Sequence, residues 1–176
     1  MGNNEKGRGR LGYEDYRPFL EAFVQRVQHR LGDQLLAVVL YGSVARGTAR
    51  AESDVDLLIV WRSAPRNYFE RLKRIMEVTE ALHNGPAAQL RERGLAEPYL
   101  SYLVLSEEEA DRNRYLYLDM IDEAILLYDP DGFFAERLQR LRERLAQLGA
   151  RRVWLPDGSW YWDLKPDLKL GEEFEL

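Results

Sequence analysis

The chain has no cysteine at all and only two histidines. The first absence excludes disulfides, thiolate zinc sites, cysteine nucleophiles and thiol redox switches, and gives no sign of an oxidising compartment. Long hydrophobic runs are missing too: no segment approaches the eighteen apolar residues of a membrane span. The opening MGNNEKGRGRLG has none of the apolar character of a signal peptide and reads as a disordered tail over residues 1–12. The expected compartment is the cytoplasm, with no membrane partner. Nor is there an excess of basic charge. Thirty acidic against twenty-five basic residues give a net charge of -5, with a pI near 5.2, which argues against nucleic acid held on a broad basic surface. Small substrates or protein partners fit better.

What is present is enough apolar material for one domain in 176 residues. Between Tyr13 and Leu31 the apolar residues recur at three- and four-residue spacing, with Pro18 near the start and Gly32 just past the end, the pattern of an amphipathic helix. Leu35–Tyr41 and Val55–Trp61 are short β-branched runs expected to form buried strands. A helix follows from Asn67 to about His83, with Phe69, Leu72, Ile75, Met76, Thr79 and Leu82 on one face, and a short one through Arg93. Tyr99–Leu105 is a third strand, and Ser106 with three glutamates opens a further helix. Ala124–Tyr128 is a short strand. Phe134, Leu138, Leu141, Leu145 and Leu148 then line a helix ending at Gly149, and an Asp-Gly turn joins two aromatic runs into a hairpin. The expected fold is α/β (α+β): a mixed β-sheet flanked by helices over residues 13–129, extended over 130–176 by a helix and a β-hairpin.

The chemistry concentrates between residues 40 and 60. There a strand ends in Gly42-Ser43 and the next begins with Asp54-Val55-Asp56. A glycine lets backbone approach a phosphate, and the turn after it presents N–H groups and the Ser43 hydroxyl to anionic oxygens. Two aspartates two residues apart on a strand point to one face, while Val55 points to the core. Paired carboxylates are costly without a cation, and hard oxygens favour Mg²⁺ or Mn²⁺ when substrate phosphates complete the shell. Arg46 is placed to balance phosphate charge.

Gly42-Ser43, Arg46-Gly47 and Ser53-Asp54-Val55-Asp56, with ten residues between Ser43 and Asp54, resemble the signature of the DNA polymerase β-type nucleotidyltransferase superfamily, particularly its minimal members. The resemblance is close from Leu35 to Trp61 and elsewhere rests on the order of elements. It implies a nucleotidyltransferase-type mixed sheet, ATP or another nucleoside triphosphate as substrate, Asp54 and Asp56 as catalytic metal ligands, and Gly42, Ser43 and Arg46 against the phosphates. It also implies a small helical HEPN-type protein as partner, the chain acting as the antitoxin of a toxin–antitoxin pair; a homo-oligomer is compatible with it. Active members usually carry a third carboxylate on a later strand, and here Tyr99–Leu105 holds no acid. Glu97 is the nearest substitute, and Asp163 is another if the hairpin folds over the site.

The expected activity is transfer of a nucleoside monophosphate, AMP from ATP, to a hydroxyl of a protein or small molecule. The alternative is a nucleotide-binding or partner-masking protein that lost turnover with the third acid. His29 and His83, near the ends of their helices, read as surface residues and not as a general base. Trp154, Trp160, Tyr161 and Trp162 are expected to pack across strands rather than to stack a base. Arg137, Arg140, Arg144, Arg151 and Arg152 read as a solvated face, with a small RNA-binding patch as their functional alternative.

Overall fold

A computed structural model describes residues 10–83, 85–157, 159–169 and 171–176. Its elements, in chain order, are α1 (Tyr13–Leu31), β1 (Leu35–Tyr41), α2 (Gly42–Ala45), β2 (Val55–Trp61), α3 (Tyr68–Glu80), α4 (Pro86–Glu92), β3 (Leu100–Ser106), α5 (Glu107–Ala110), α6 (Tyr115–Glu123), β4 (Ile125–Tyr128), α7 (Phe133–Leu148), β5 (Arg151–Trp154) and β6 (Trp160–Asp163). Four strands form one sheet in the order β3-β2-β1-β4, and β5 and β6 pair separately. β2 runs parallel to β3, while β1 is antiparallel to both β2 and β4, so the main sheet is mixed.

β1 and β2 read as near-continuous apolar runs because both faces of the central strands are covered. Val38, Leu40, Val55, Leu57 and Ile59 join Phe19, Leu20, Phe23 and Val27 of α1, and Ile75 and Leu90 of α3 and α4, in one core. Val39, Leu58 and Val60 join Tyr117 and Met120 of α6, and Phe134, Leu138 and Leu141 of α7, in a second. Strand alternation deals successive side chains to opposite layers, and each layer closes with its own helices. The helix of residues 133–148, expected as part of an extension, thus supplies Phe134, Leu138, Leu141 and Leu145 to the second core.

Several expectations are redrawn. Leu11 is buried and exchanges backbone hydrogen bonds with Ala49, so ordered chain begins ahead of Tyr13, whereas residues 1–9 of the expected tail lie outside the described residues. The helix opened by Ser106 lasts a single turn, closed by a Ser106–Glu109 capping box, before α6 starts afresh. Phe69 is 80% exposed and Met76 54%, so α3 buries a narrower stripe than its apolar residues suggest. Arg137 is not on a solvated face: it is buried with its guanidinium carbon 5.9 Å from the Tyr117 ring centre and Asn113 accepting a hydrogen bond from it. A long aliphatic stem and a planar head can be buried when a ring and an acceptor replace water.

Arg71 is buried as well. It donates to the carbonyls of Pro65 and Val104 and to the Glu109 carboxylate. The hydrogen bond from Arg71 holds the Glu109 carboxyl below its ordinary pKa, against a smaller opposing effect of burial. A lowered carboxylate pKa adds stability above the unfolded-state value, and that stability is lost as pH falls through the folded-state value. Glu109→Gln is therefore expected to cost about 2 kcal/mol at pH 7, discounted for the part of Glu109 that water reaches. It also flattens the acid limb of a stability–pH curve measured by urea unfolding; an unchanged limb would remove the pair from the account.

Candidate functional site

One edge of the main sheet collects the candidate residues. β1 ends there at Tyr41, opposite Asp56 at the start of β2, and Asp56 in turn stands beside Ser101 at the start of β3. β4 begins at the same edge, with Ile125 opposite Leu40, so Glu123 at the end of α6 arrives close by. Val55 and Leu57 belong to the first core, so Asp56 between them points to the α6–α7 side, the side on which Tyr41 packs.

The turn after β1 is fixed by Gly42. Its φ is +74°, a conformation that a side chain resists, and a Cβ placed there would lie 2.2 Å from Asp56 Oδ2. The glycine expected to admit a phosphate is therefore needed first to admit the carboxylate, which joins turn and acid pair into one unit. The Ser43 carbonyl accepts the Thr48 N–H at 2.9 Å, the Ser53 hydroxyl accepts the Arg50 N–H at 2.9 Å, and Leu11 clamps Ala49. The loop from α2 to β2 is thereby held at three points, and Asp54 at its end is exposed.

Burial raises the Asp56 pKa, and the charge of Asp54 raises it further, while the Ser101 hydroxyl and the Arg46 charge pull it down. Burial also pushes the Tyr41 phenol up to about 12, with the Asp56 charge second. Arg46, 39% exposed, has a second neighbour that no local pattern announced: Glu123 Oε2 lies 3.3 Å from its Nη1. Asp119, one helical turn earlier, has its pKa raised by burial and by Glu123, against the charges of Arg46 and Arg152. The spacing Asp119-x-x-Asp122-Glu123, three acids on one helical face, was the only sequence signal for this group.

Gly42, Arg46, Asp54 and Asp56 thus meet, with Ser43 beside them in α2. Glu97 is engaged elsewhere: it pairs with His83 and lies 3.2 Å from Arg91. Asp163 pairs with Arg151 across the hairpin, at 3.3 Å. Ser101 occupies the position on β3 beside Asp56, and among the described residues no three acidic or histidine side chains group to hold a metal. The donor set at the edge is two carboxylates, and Asp56 is pressed toward its neutral form first by burial and then by the Asp54 charge. A hard divalent cation suits that pair provided that substrate oxygens complete its shell.

A cavity of about 530 Å³ opens beside Ser101, walled by Leu72, Met76, Tyr99 and Tyr102 with Thr79 and Glu97 among its polar groups. A larger one, about 900 Å³, lies at the opposite end of the sheet among Arg62, Arg71, Glu107 and Arg140, away from the acid pair. Among the described residues no helix is long and apolar enough to cross a membrane.

Comparison with known proteins places these features. A family model described as nucleotidyltransferase domain matches residues 20–166, so it takes in α7 and the hairpin as well as the acid pair. A Methanocaldococcus jannaschii protein that bears the provisional name protein adenylyltransferase is 39% identical over 59 residues, which are 34% of this chain and 40% of that protein. The chain therefore spans less than half the length of this relative. Among solved structures, a provisionally named nucleotidyltransferase from Sulfolobus solfataricus is 22% identical with a TM-score of 0.44, over 72% of this chain and 94% of the other. A chain of a toxin–antitoxin crystal structure with AMP-PNP is 13% identical with a TM-score of 0.46, over 73% and 92%. Both scores fall below 0.5, and the assignment rests on the family match.

Proposed function

We propose that this chain, which belongs to the nucleotidyltransferase domain family, transfers AMP from ATP to a hydroxyl group, on a protein or a small molecule. One observation carries the reading: the Asp56 carboxylate fills the space that a Cβ on Gly42 would take, so the phosphate turn and the acid pair form a single site. The provisional name of the Methanocaldococcus jannaschii relative supports AMP as the group and protein as the acceptor.

In this reading the turn at Gly42-Ser43 receives the β- and γ-phosphates, and Arg46 offsets their charge. A divalent cation, Mg²⁺ or Mn²⁺, held by Asp54 and Asp56 would supply charge neutralisation on the phosphate oxygens. The acceptor hydroxyl gives up its proton to solvent as its oxygen attacks the α-phosphorus, the bond from that phosphorus to the bridging α–β oxygen breaks, and pyrophosphate leaves with the electron pair. Position and charge do most of the work in such transfers, and this chain has both. The small helical HEPN-type protein implied by the sequence resemblance is the first acceptor to try.

Ser101 beside Asp56, where an acid would complete the site, favours a second reading: a protein that binds the metal-nucleotide complex with little turnover. Incubation with α-labelled ATP, Mg²⁺ and a panel of acceptors separates the two. Label transferred by the wild type and lost in Asp54→Asn supports transfer. Calorimetric binding of Mg²⁺-ATP with no labelled product supports the second reading, and neither binding nor transfer overturns both.

A further inference from the structure

The C-terminal hairpin is tied by charge to the phosphate turn. On β5, the Arg152 guanidinium carbon lies 4.4 Å from the Trp160 ring centre and 5.2 Å from that of Trp162. Its Nη2 is 3.2 Å from Asp122 Oδ2 and its Nη1 is 3.6 Å from Glu123 Oε1. Glu123 turns its other oxygen, Oε2, toward Arg46 at 3.3 Å. One carboxylate therefore bridges two arginines with different freedoms. Arg46 is 39% exposed and reachable by a ligand, whereas Arg152 is 18% exposed and held by two indoles. This overturns the reading of Arg152 as part of a solvated face, and it gives Trp160 and Trp162 a partner other than a nucleobase.

We propose that Arg152 is a positioning residue for the triphosphate: by holding Glu123, it lets Arg46 turn from that carboxylate to phosphate oxygens without leaving a half-buried acid unpaired. The inference rests on the reading that Arg46 faces the phosphates of a bound nucleotide. Three acids of α6, Asp119, Asp122 and Glu123, stand around the two arginines. With Arg152 gone they oppose Arg46 alone, which keeps it on Glu123 and sets a negative field against the incoming phosphates. Arginine suits the position because a planar guanidinium can stack on an indole while its charge faces the carboxylates. Nothing local in the sequence marks this link, since Arg46, Glu123 and Arg152 lie on three separate elements.

The test is calorimetric Mg²⁺-ATP affinity in a double-mutant cycle on the full chain. Arg152→Ala is expected to weaken binding about ten-fold, equivalent to about 1.4 kcal/mol. Arg152→Lys keeps the charge without the stacking and is expected to lose less affinity than Arg152→Ala, which guards against a hairpin that the alanine variant leaves misfolded. In a Glu123→Gln background the carboxylate that Arg152 shares with Arg46 is gone and Arg152 keeps only Asp122, so the same Arg152→Ala change is expected to cost less than in the wild type, about three-fold or under. Equal losses in both backgrounds mean that the hairpin acts only through folding and overturn the inference, as does unchanged binding in Arg152→Ala. Wild-type protein that binds no Mg²⁺-ATP removes the reading beneath it, an outcome separate from either.

Discussion

Asp56→Asn is expected to lower AMP transfer by about a thousand-fold or more while making the metal-free protein more stable. The loss follows from removing one of two anionic groups whose charge the reaction uses; deletion of one preorganised electrostatic contact typically costs two to three orders of magnitude. The gain in stability has the opposite origin. Burial and the Asp54 charge raise the Asp56 pKa, so the folded state holds its proton more tightly than the unfolded chain does. For a raised carboxylate, stability falls as pH climbs from the ordinary carboxylate value through the folded-state value, and the deficit persists above it. Asparagine removes that deficit at neutral pH and makes no difference below the unfolded-state value. Thermal unfolding without divalent cation, at pH 7 and at pH 3.5, reads the sign: a lower Tm for the variant at pH 7 sinks the argument. This is the reverse of the Glu109 case, where the folded state favours the charged form.

Gly42→Ala is expected to lose transfer to a similar degree but to move stability the other way. At φ +74° an alanine pays about 1–2 kcal/mol in backbone strain. Its Cβ also meets Asp56 Oδ2 at 2.2 Å, so the carboxylate must rotate away from its place beside Asp54. The two variants thus share a kinetic defect and differ in Tm, which distinguishes a displaced carboxylate from a deleted one. Gly149→Ala, at the end of α7, is the control. Its φ is +68° and nothing lies within 4 Å of the added Cβ, so it pays the strain and keeps its transfer activity. If Gly42→Ala and Gly149→Ala behave alike in transfer, the close approach to Asp56 has no functional weight.

The consequences of the Arg46–Glu123–Arg152 bridge extend to how the fold is divided. A domain ending near residue 129 would leave the helix and hairpin as an appendage. The family match runs to residue 166, and the second core is built from β1 and β2 together with α6 and α7. The hairpin therefore sits where it contacts α6, which in turn meets Arg46 beside the Gly42-Ser43 turn.

Helix α1, the strand pair β1 and β2, helix α7 and the hairpin were legible because each is specified by neighbours in sequence: a 3.6-residue or two-residue apolar period, with glycine or proline at the ends. The Gly42-Ser43 and Asp54-x-Asp56 unit was legible for the same reason, since its halves flank one loop. The single turn after Ser106 was not, because a capping box announces a start and says nothing of length. By itself the sequence determined the family and the mixed α/β class, and it named Gly42, Ser43, Arg46, Asp54 and Asp56 as the candidate residues. Only the tertiary structure decided that Gly42 is a glycine on account of Asp56, that Ser101 stands beside that carboxylate, and that Glu97 and Asp163 are held by His83, Arg91 and Arg151. It alone joined Arg152 to Arg46 through Glu123. These are contacts between elements far apart in the chain, set by which layer each strand turns its side chains toward and by where α6 ends, and no local period encodes either.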